Sequence, residues 1–479
     1  MISRLFRTKS IEQIITEADQ PDHRLKKTLT VWDLTALGIG AIIGTGIFVL
    51  IGTAIVGDAH RPGAGPGIIL SFVLAGLTCA FAALCYAEFS TMIPVAGSAY
   101  TYSYATLGEF LAWITGWNLI LEYGVACVAV AIGWSGYFNK LLRLAGIELP
   151  HWATHPPADG GVANFPAAIV VLLITIVLVI GIKESARVTG VIVCLKLAVI
   201  LFFIAVGTPA VNTDNWTPFL PQGFAGVGAA AAIVFFAYIG FDAISTTAEE
   251  AKNPQRDLPI GIIASLGICT VLYIAVAAVL TGLVPTGQID IHAPVAEALS
   301  IVGFKWGAAI VAIGAVAGIT SVLVVMMLGQ IRVFFAMSRD HLLSPWLSTV
   351  HPRYGTPHYA TILTGIAVAA LAALIPIGDA ADMTNIGTLF AFVLVCIGVV
   401  ILRYTKPNQH RPFRLPFMPV VPVLGMLACF GLMSFLPWVT WIRFAVWTAI
   451  GVLVYMGYGL KRSKLANISP ERQLSKRSL

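Results

Sequence analysis

Long apolar runs alternate with short polar connections along this chain, and the runs have the length that a bilayer demands of a helix. Crossing the ~30 Å hydrocarbon core takes ~20 apolar residues, each rising about 1.5 Å. The first six runs are Val31 to Val56, Gly67 to Thr91, Leu111 to Leu141, Ala167 to Ile182, Val188 to Gly207 and Gly226 to Ala248. The second six are Leu258 to Val284, Ala308 to Ala336, Tyr359 to Ile377, Ala381 to Leu402, Phe417 to Leu436 and Val439 to Leu460. The pattern predicts an all-α membrane protein of 12 transmembrane helices. No connection between runs is long enough to hold a soluble domain.

Two runs carry a polar or Gly-rich interruption near their middle. In the first it is Gly40 to Phe48, GAIIGTGIF, and in the sixth Phe235 to Asp242, FFAYIGFD. Interruptions at corresponding positions of two halves point to a transporter site built from broken helices at the bilayer midplane. Five runs separate the two starts, so the implied repeat is five plus five. Because five is odd, the second repeat is inverted. The chain then divides into a segment 1–30, a first repeat 31–207, a second repeat 226–404, a helix pair 417–460 and a tail 461–479.

Composition excludes a water-soluble fold, because 58% of residues are apolar and 11% charged, against roughly 25% charged in soluble domains. Positive charge accumulates on cytoplasmic connections. The side shared by the termini holds 23 Lys and Arg, whereas the other holds five, Arg61, Lys140, Arg143, Lys305 and Arg443. Both termini are therefore expected in the cytoplasm, and the net charge of +6 needs no nucleic acid partner. The segment before Val31 lacks the apolar core and cleavage site of a signal peptide. Its Ile11, Ile14 and Ile15 suit a short amphipathic helix on the membrane surface, or belong to a plain polar tail. All seven cysteines lie within runs, and no metal or disulfide spacing is visible. No cofactor is expected.

Gly40, Gly44, Thr45 and Gly46 fall where a continuous helix is penalised by ~1 kcal/mol per glycine relative to alanine. If the helix unwinds there, the amides of Thr45 and Gly46 start the outer half-helix and suit a carboxylate. The carbonyl of Ile42 suits an ammonium. Gly40 and Gly44 equally form a GxxxG packing pair. In the sixth run Asp242 is an acid inside apolar sequence, a position that is expensive and usually functional. Free carbonyls at Phe236 and Ile239 would complete the ammonium site, with the Phe236 ring either a lid or a packing element.

Lys196 lies about eight residues, ~12 Å at 1.5 Å per residue, from either end of the fifth run. It cannot snorkel to both interfaces, so it needs a polar partner or must give up its proton. Thr320 and Ser321 in the eighth run are candidate partners, although such hydroxyls also bond their own backbone. Glu122 in the third run is a second buried acid, suited to proton transfer or to a hydrogen bond with Asn118. Met326 and Met327 lie where they can shorten a side-chain pocket, or simply fill core gaps.

Four stretches resemble the amino acid, polyamine and organocation (APC) superfamily. GIGAIIGTGIFVLIG is similar to its broken first helix and YAEFSTMIPVAGSAYTY to the end of its second. FAYIGFDAISTTAEEAKNPQRDLPIGI is similar to its broken sixth helix and IRVFFAMSRD to the end of its eighth. RPFRLPFMPVVP resembles the bacterial relatives of cationic amino acid transporters. The resemblance implies the inverted five-plus-five fold of LeuT-type carriers. It sets the substrate carboxylate on Gly44, Thr45 and Gly46 and the amine on the carbonyls of Ile42, Phe236 and Ile239. Some proton-coupled members have a lysine matching Lys196, and many have glutamate where this chain has Asp242.

The function expected is secondary active transport of L-amino acids across a cytoplasmic membrane, with the proton as coupling ion and membrane lipid as surroundings. An exchanger of amino acids or polyamines, or a cationic amino acid carrier, is the alternative. An enzyme is disfavoured because all nine histidines fall in loops or tails, and a channel or sensor would lack saturable exchange. Substrate identity and accessory subunits are not written in the sequence.

Overall fold

The computed structural model describes residues 7–18, 27–95, 97–181 and 186–464. Lys183 and the charged tail beyond residue 464 lie outside the described residues. A short helix α1 (Ile11–Ala18) comes first, and the first apolar run follows in two pieces, α2 (Val31–Ile42) and α3 (Ile51–Val56), with a π turn over Gly46–Leu50 between them. The pieces are bent by 40°. Helices α4 (Ile68–Met92), α5 (Ser98–Thr106), α6 (Glu109–Leu144), α7 (Phe165–Ile180) and α8 (Ala186–Gly207) complete the first half.

The second half opens on α9 (Gly223–Val234), a 3-10 turn over Phe235–Tyr238 and the short α10 (Ala243–Thr246). It continues through α11 (Pro254–Leu283), α12 (Pro294–Ile301), α13 (Lys305–Arg339), α14 (His358–Leu374) and α15 (Ile377–Thr405). Then come α16 (Val420–Ser434) and α17 (Trp438–Val454), which a π turn over Tyr455–Gly459 extends. Each of the twelve apolar runs thus falls on one helix or one broken helix. Among the described residues, eight helices are long and apolar enough to cross a membrane, nine if the bent pair is one span. α7, α14 and α16, at 16, 17 and 15 residues, are apolar but shorter than a full crossing.

The bundle is inverted in polarity relative to a soluble protein. Leu77, Ile176, Val271 and Leu453 are more than half exposed, whereas Lys196, Glu122, Asp242 and Asn385 are buried. Core packing joins α4 to α11, α6 to α13 and α7 to α14, with α15 against α6 and α8 against α13. α1 departs from the surface-helix expectation, since Ile11 and Ile14 are buried against the protein and Ile15 packs on the same core. Its neighbour Lys9 reaches Asp340 at 3.2 Å. The apolar stripe of this helix is covered by protein and not by lipid.

At the terminus side the segment after α15 is held by one carboxylate. Glu88, near the end of α4, accepts from Arg403 Nε and Nη2 at 2.8 and 2.6 Å and from the Leu415 amide at 2.8 Å. Arg411 lies 3.3 Å away and donates to the carbonyls of Leu402, Lys406, Pro407 and Gln409. Removing one member of a buried pair strands the other, at about 3–5 kcal/mol. Glu88→Ala should therefore lower the thermal unfolding midpoint in detergent by an amount of that order, and an unchanged midpoint would show that water replaces the carboxylate freely.

Candidate binding site

The two breaks face each other because glycines let their backbones touch. A Cβ on Gly46 would lie 2.3 Å from Ala237 Cα, and one on Gly240, whose φ is +121°, would lie 2.9 Å from the Ala41 carbonyl. At the first break Ile43 is extended (ψ 104°), and the chain re-enters helix at Thr45 and Gly46. The first amides of a helix have no acceptor one turn back, so these two point donors into the break. At the second break Ile239 is extended (ψ 133°).

Between the breaks lies a cavity lined by Ile42, Gly44, Thr45, Gly46, Phe236, Ile239 and Met326, together with Ala41, Ala126, Val130 and Val322. It offers about 10 Å3 to the centre of a water-sized sphere, which is the room of one water. All seven residues proposed from the sequence for substrate share this cavity. Ala126, Val130 and Val322 come from α6 and α13 and carry no polar signal that sequence reasoning could use. The cavity wall formed by Ala126, Val130, Val322 and Met326 is apolar. Met327 is buried but is not part of the lining.

Tyr273 of α11 closes the space between the breaks. Its hydroxyl stands 2.9 Å from the Ile42 carbonyl and 3.0 Å from the Ala237 carbonyl. The Ile42 oxygen, expected to be free for an ammonium, thus already accepts one bond. A carbonyl has a second lone pair, so a further donor remains possible. The Phe236 carbonyl accepts from the Ile239 amide at 3.3 Å in the same way. The one signal for Tyr273 in the sequence is a phenol in an apolar run, which must find an acceptor when buried.

Lys196 is fully buried and donates to the carbonyls of Gly40 at 2.6 Å and Ile43 at 3.0 Å. This ties α8 to the end of α2. The expected bonds to Thr320 and Ser321 do not form. Thr320 donates to the Val316 carbonyl and accepts from Trp134, and Ser321 donates to the Gly318 carbonyl. Hydroxyls on a helix satisfy themselves on the preceding turn. Contact between Lys196 and α13 runs instead through Gly318, where a Cβ would meet the lysine stem at 3.1 Å.

Asp242 does not line the cavity. Its carboxylate accepts from the Tyr123 hydroxyl at 2.8 Å and from the Gly240 amide at 3.3 Å, bracing the second break against α6. Glu122, one residue before Tyr123, is buried, and neither of its oxygens makes a well-formed hydrogen bond among the described residues, although the Thr388 hydroxyl stands nearby. Asn118 donates to Ile114, so the Glu122–Asn118 bond weighed from the sequence is absent.

Two further cavities flank the central one. Toward the termini, about 110 Å3 is lined by Asp33, Thr246, Glu250 and Arg332 among apolar residues, with Arg332 3.7 Å from Glu250. On the opposite side, about 80 Å3 lies beneath residues 290–294 and is lined by Lys140, His155, His292 and Glu297. That segment rests on Gly52 and Gly136, where any Cβ would strike the carbonyls of Asp290 and His292.

Residues 29–460 match the amino acid permease family. The chain belongs to that family, within the APC superfamily. It is 51% identical over 472 residues to a branched-chain amino acid permease of Bacillus subtilis, covering 97% of this chain and 100% of that protein. A methylthioribose transporter of the same organism is 49% identical over 466 residues, with 97% and 100% covered. Cationic amino acid transporter 1 of Arabidopsis thaliana is 41% identical over 383 residues, or 80% of this chain and 64% of the plant protein. The protein is thus a multi-pass membrane permease.

The single Tyr273 hydroxyl hydrogen is shared between the Ile42 and Ala237 carbonyls, so removing it while keeping the ring leaves buried acceptors one donor short, at about 1–3 kcal/mol. Tyr273→Phe should lower the unfolding midpoint of this permease in detergent accordingly and weaken substrate binding. A variant equal to wild type in both would show that the hydroxyl does not organise the breaks.

Proposed function

We propose that this permease is a secondary active transporter that moves L-amino acids across the cytoplasmic membrane by alternating access, as proton-coupled uptake. The observation that carries the reading is the cavity between the helix breaks. Main-chain donors at Thr45 and Gly46 suit a carboxylate, and the carbonyls of Ile42, Phe236 and Ile239 suit an ammonium. The walls around Ala126, Val130, Val322 and Met326 are apolar, which favours small or medium neutral side chains over arginine or lysine. The branched-chain permease among the relatives supports the same choice.

We take the architecture to be twelve spans in a five-plus-five inverted repeat with two added helices. Counting apolar runs, the second packs on the seventh, the third on the eighth, the fourth on the ninth, and the two breaks on each other. A two-fold axis in the membrane plane brings these helices of the two repeats against their mates in this way. In this reading Glu250 and Arg332 belong to the cytoplasmic gate and residues 290–294 to the outer one, with both termini in the cytoplasm.

Lys196 is the proposed coupling group. As an ammonium it makes charge-assisted bonds to Gly40 and Ile43, which are roughly twice as strong as neutral ones. Loss of the proton weakens the tie between α8 and the first break and biases the carrier toward another access state. Lys196→Ala in sodium-free liposomes should leave binding within about tenfold of wild type, yet abolish accumulation driven by an imposed pH gradient. Concentration of substrate by the mutant would remove Lys196 as the coupling group and leave Glu122 or Asp242 to be tested.

The pocket predicts its own specificity change. Met326→Ala should admit longer side chains, read as stronger competition by leucine, methionine or arginine against labelled alanine. Tight binding of arginine and none of alanine by the wild type would overturn the neutral assignment. Methylthioribose belongs in the same competition series because a comparably similar relative carries that name.

A further inference from the structure

α11 enters from the terminus side with one face uncovered. Ile260, Ile263, Ile268 and Val271 run down that face, each at least 41% exposed. Over the first turns the face is hollowed into an open groove of about 630 Å3. Arg256, Pro259, Ile260 and Ile263 form one wall, and Pro412 and Phe413 form the other. The second wall is rigid, because Glu88 holds the residues flanking it through Arg411 and the Leu415 amide.

The lining of this groove holds one cation, Arg256, and Arg414 directly follows Phe413 in the chain. Arg256 and Arg414 are exposed, and neither side chain makes a hydrogen bond or an ion pair among the described residues. Arg411 turns inward instead. Basic pockets at the end of membrane helices fit the headgroups of anionic lipids. A free anion would match the rim and leave the apolar wall without a role, and a neutral lipid would match the wall and leave the guanidiniums without a partner.

We propose that this groove binds an anionic phospholipid of the terminus-side leaflet, with its phosphate at the Arg256 rim, Arg414 adding charge, and an acyl chain along Ile260 and Ile263 toward Ile268 and Val271. The groove touches the start of α11, the helix whose Tyr273 bonds both breaks. A lipid seated there bears on the helix that closes the central cavity.

Full-length protein in phosphatidylcholine nanodiscs, doped with phosphatidylglycerol bearing a photoactivatable acyl chain, tests this. Crosslinks should map to the peptides containing Ile260, Ile263 and Phe413, and should exceed those from phosphatidylcholine with the same photoactivatable chain. Arg256→Gln should cut the phosphatidylglycerol labelling about fivefold, and Arg256→Lys should retain it. Arg414→Gln, in an exposed loop position, provides a second reading if the first variant folds poorly. Equal labelling by the two lipids, labelling unchanged in both glutamine variants, or loss of labelling on adding inorganic phosphate would each overturn the proposal.

Discussion

Inside a bilayer each backbone amide and carbonyl freed by a broken helix must find its partner within the protein or in a cavity that the protein encloses. Two such breaks lie side by side here, and much of the surrounding bundle answers to them. Lys196 supplies donors to Gly40 and Ile43, and Tyr273 shares its one hydroxyl hydrogen between Ile42 and Ala237. Asn385 of α15 donates to the Ala232 carbonyl at 2.7 Å. Tyr123 holds Asp242, which in turn accepts from Gly240. Four helices, α6, α8, α11 and α15, are thereby anchored to the breaks by single polar side chains in apolar surroundings.

This arrangement explains why the site is small. Gly46 against Ala237 and Gly240 against Ala41 leave no room for a side chain between the two backbones. Any movement of one broken helix past the other must exchange the partners of several carbonyls together. Such a set has discrete arrangements and not a continuum, which is what the proposed alternating access would require of its moving parts.

The sequence made the breaks legible, because glycine and acid in an apolar run are local signals. From two short motifs and one methionine came seven residues that share a single cavity. Lys196 was equally legible as a buried cation in need of acceptors. What could not be read was which helix faces which. Tyr273, Tyr123 and Asn385 are unremarkable residues until the fold brings them to the breaks. Thr320 and Ser321 are candidate partners of Lys196 by polarity, with their own backbone the alternative, and their own helix claims them. The same limit applies to α1, whose isoleucines fit a membrane surface as well as the protein surface that covers them.

The account rests on main-chain groups of the two breaks recognising the charged ends of an amino acid. Its most direct test is equilibrium competition against a labelled neutral L-amino acid by analogues lacking one end. The amide of the same amino acid removes the carboxylate charge, and the corresponding carboxylic acid removes the ammonium. The account predicts that each analogue competes weakly, at least about tenfold less than the parent, whatever its side chain. Competition by either analogue as strong as that of the parent amino acid would contradict the account.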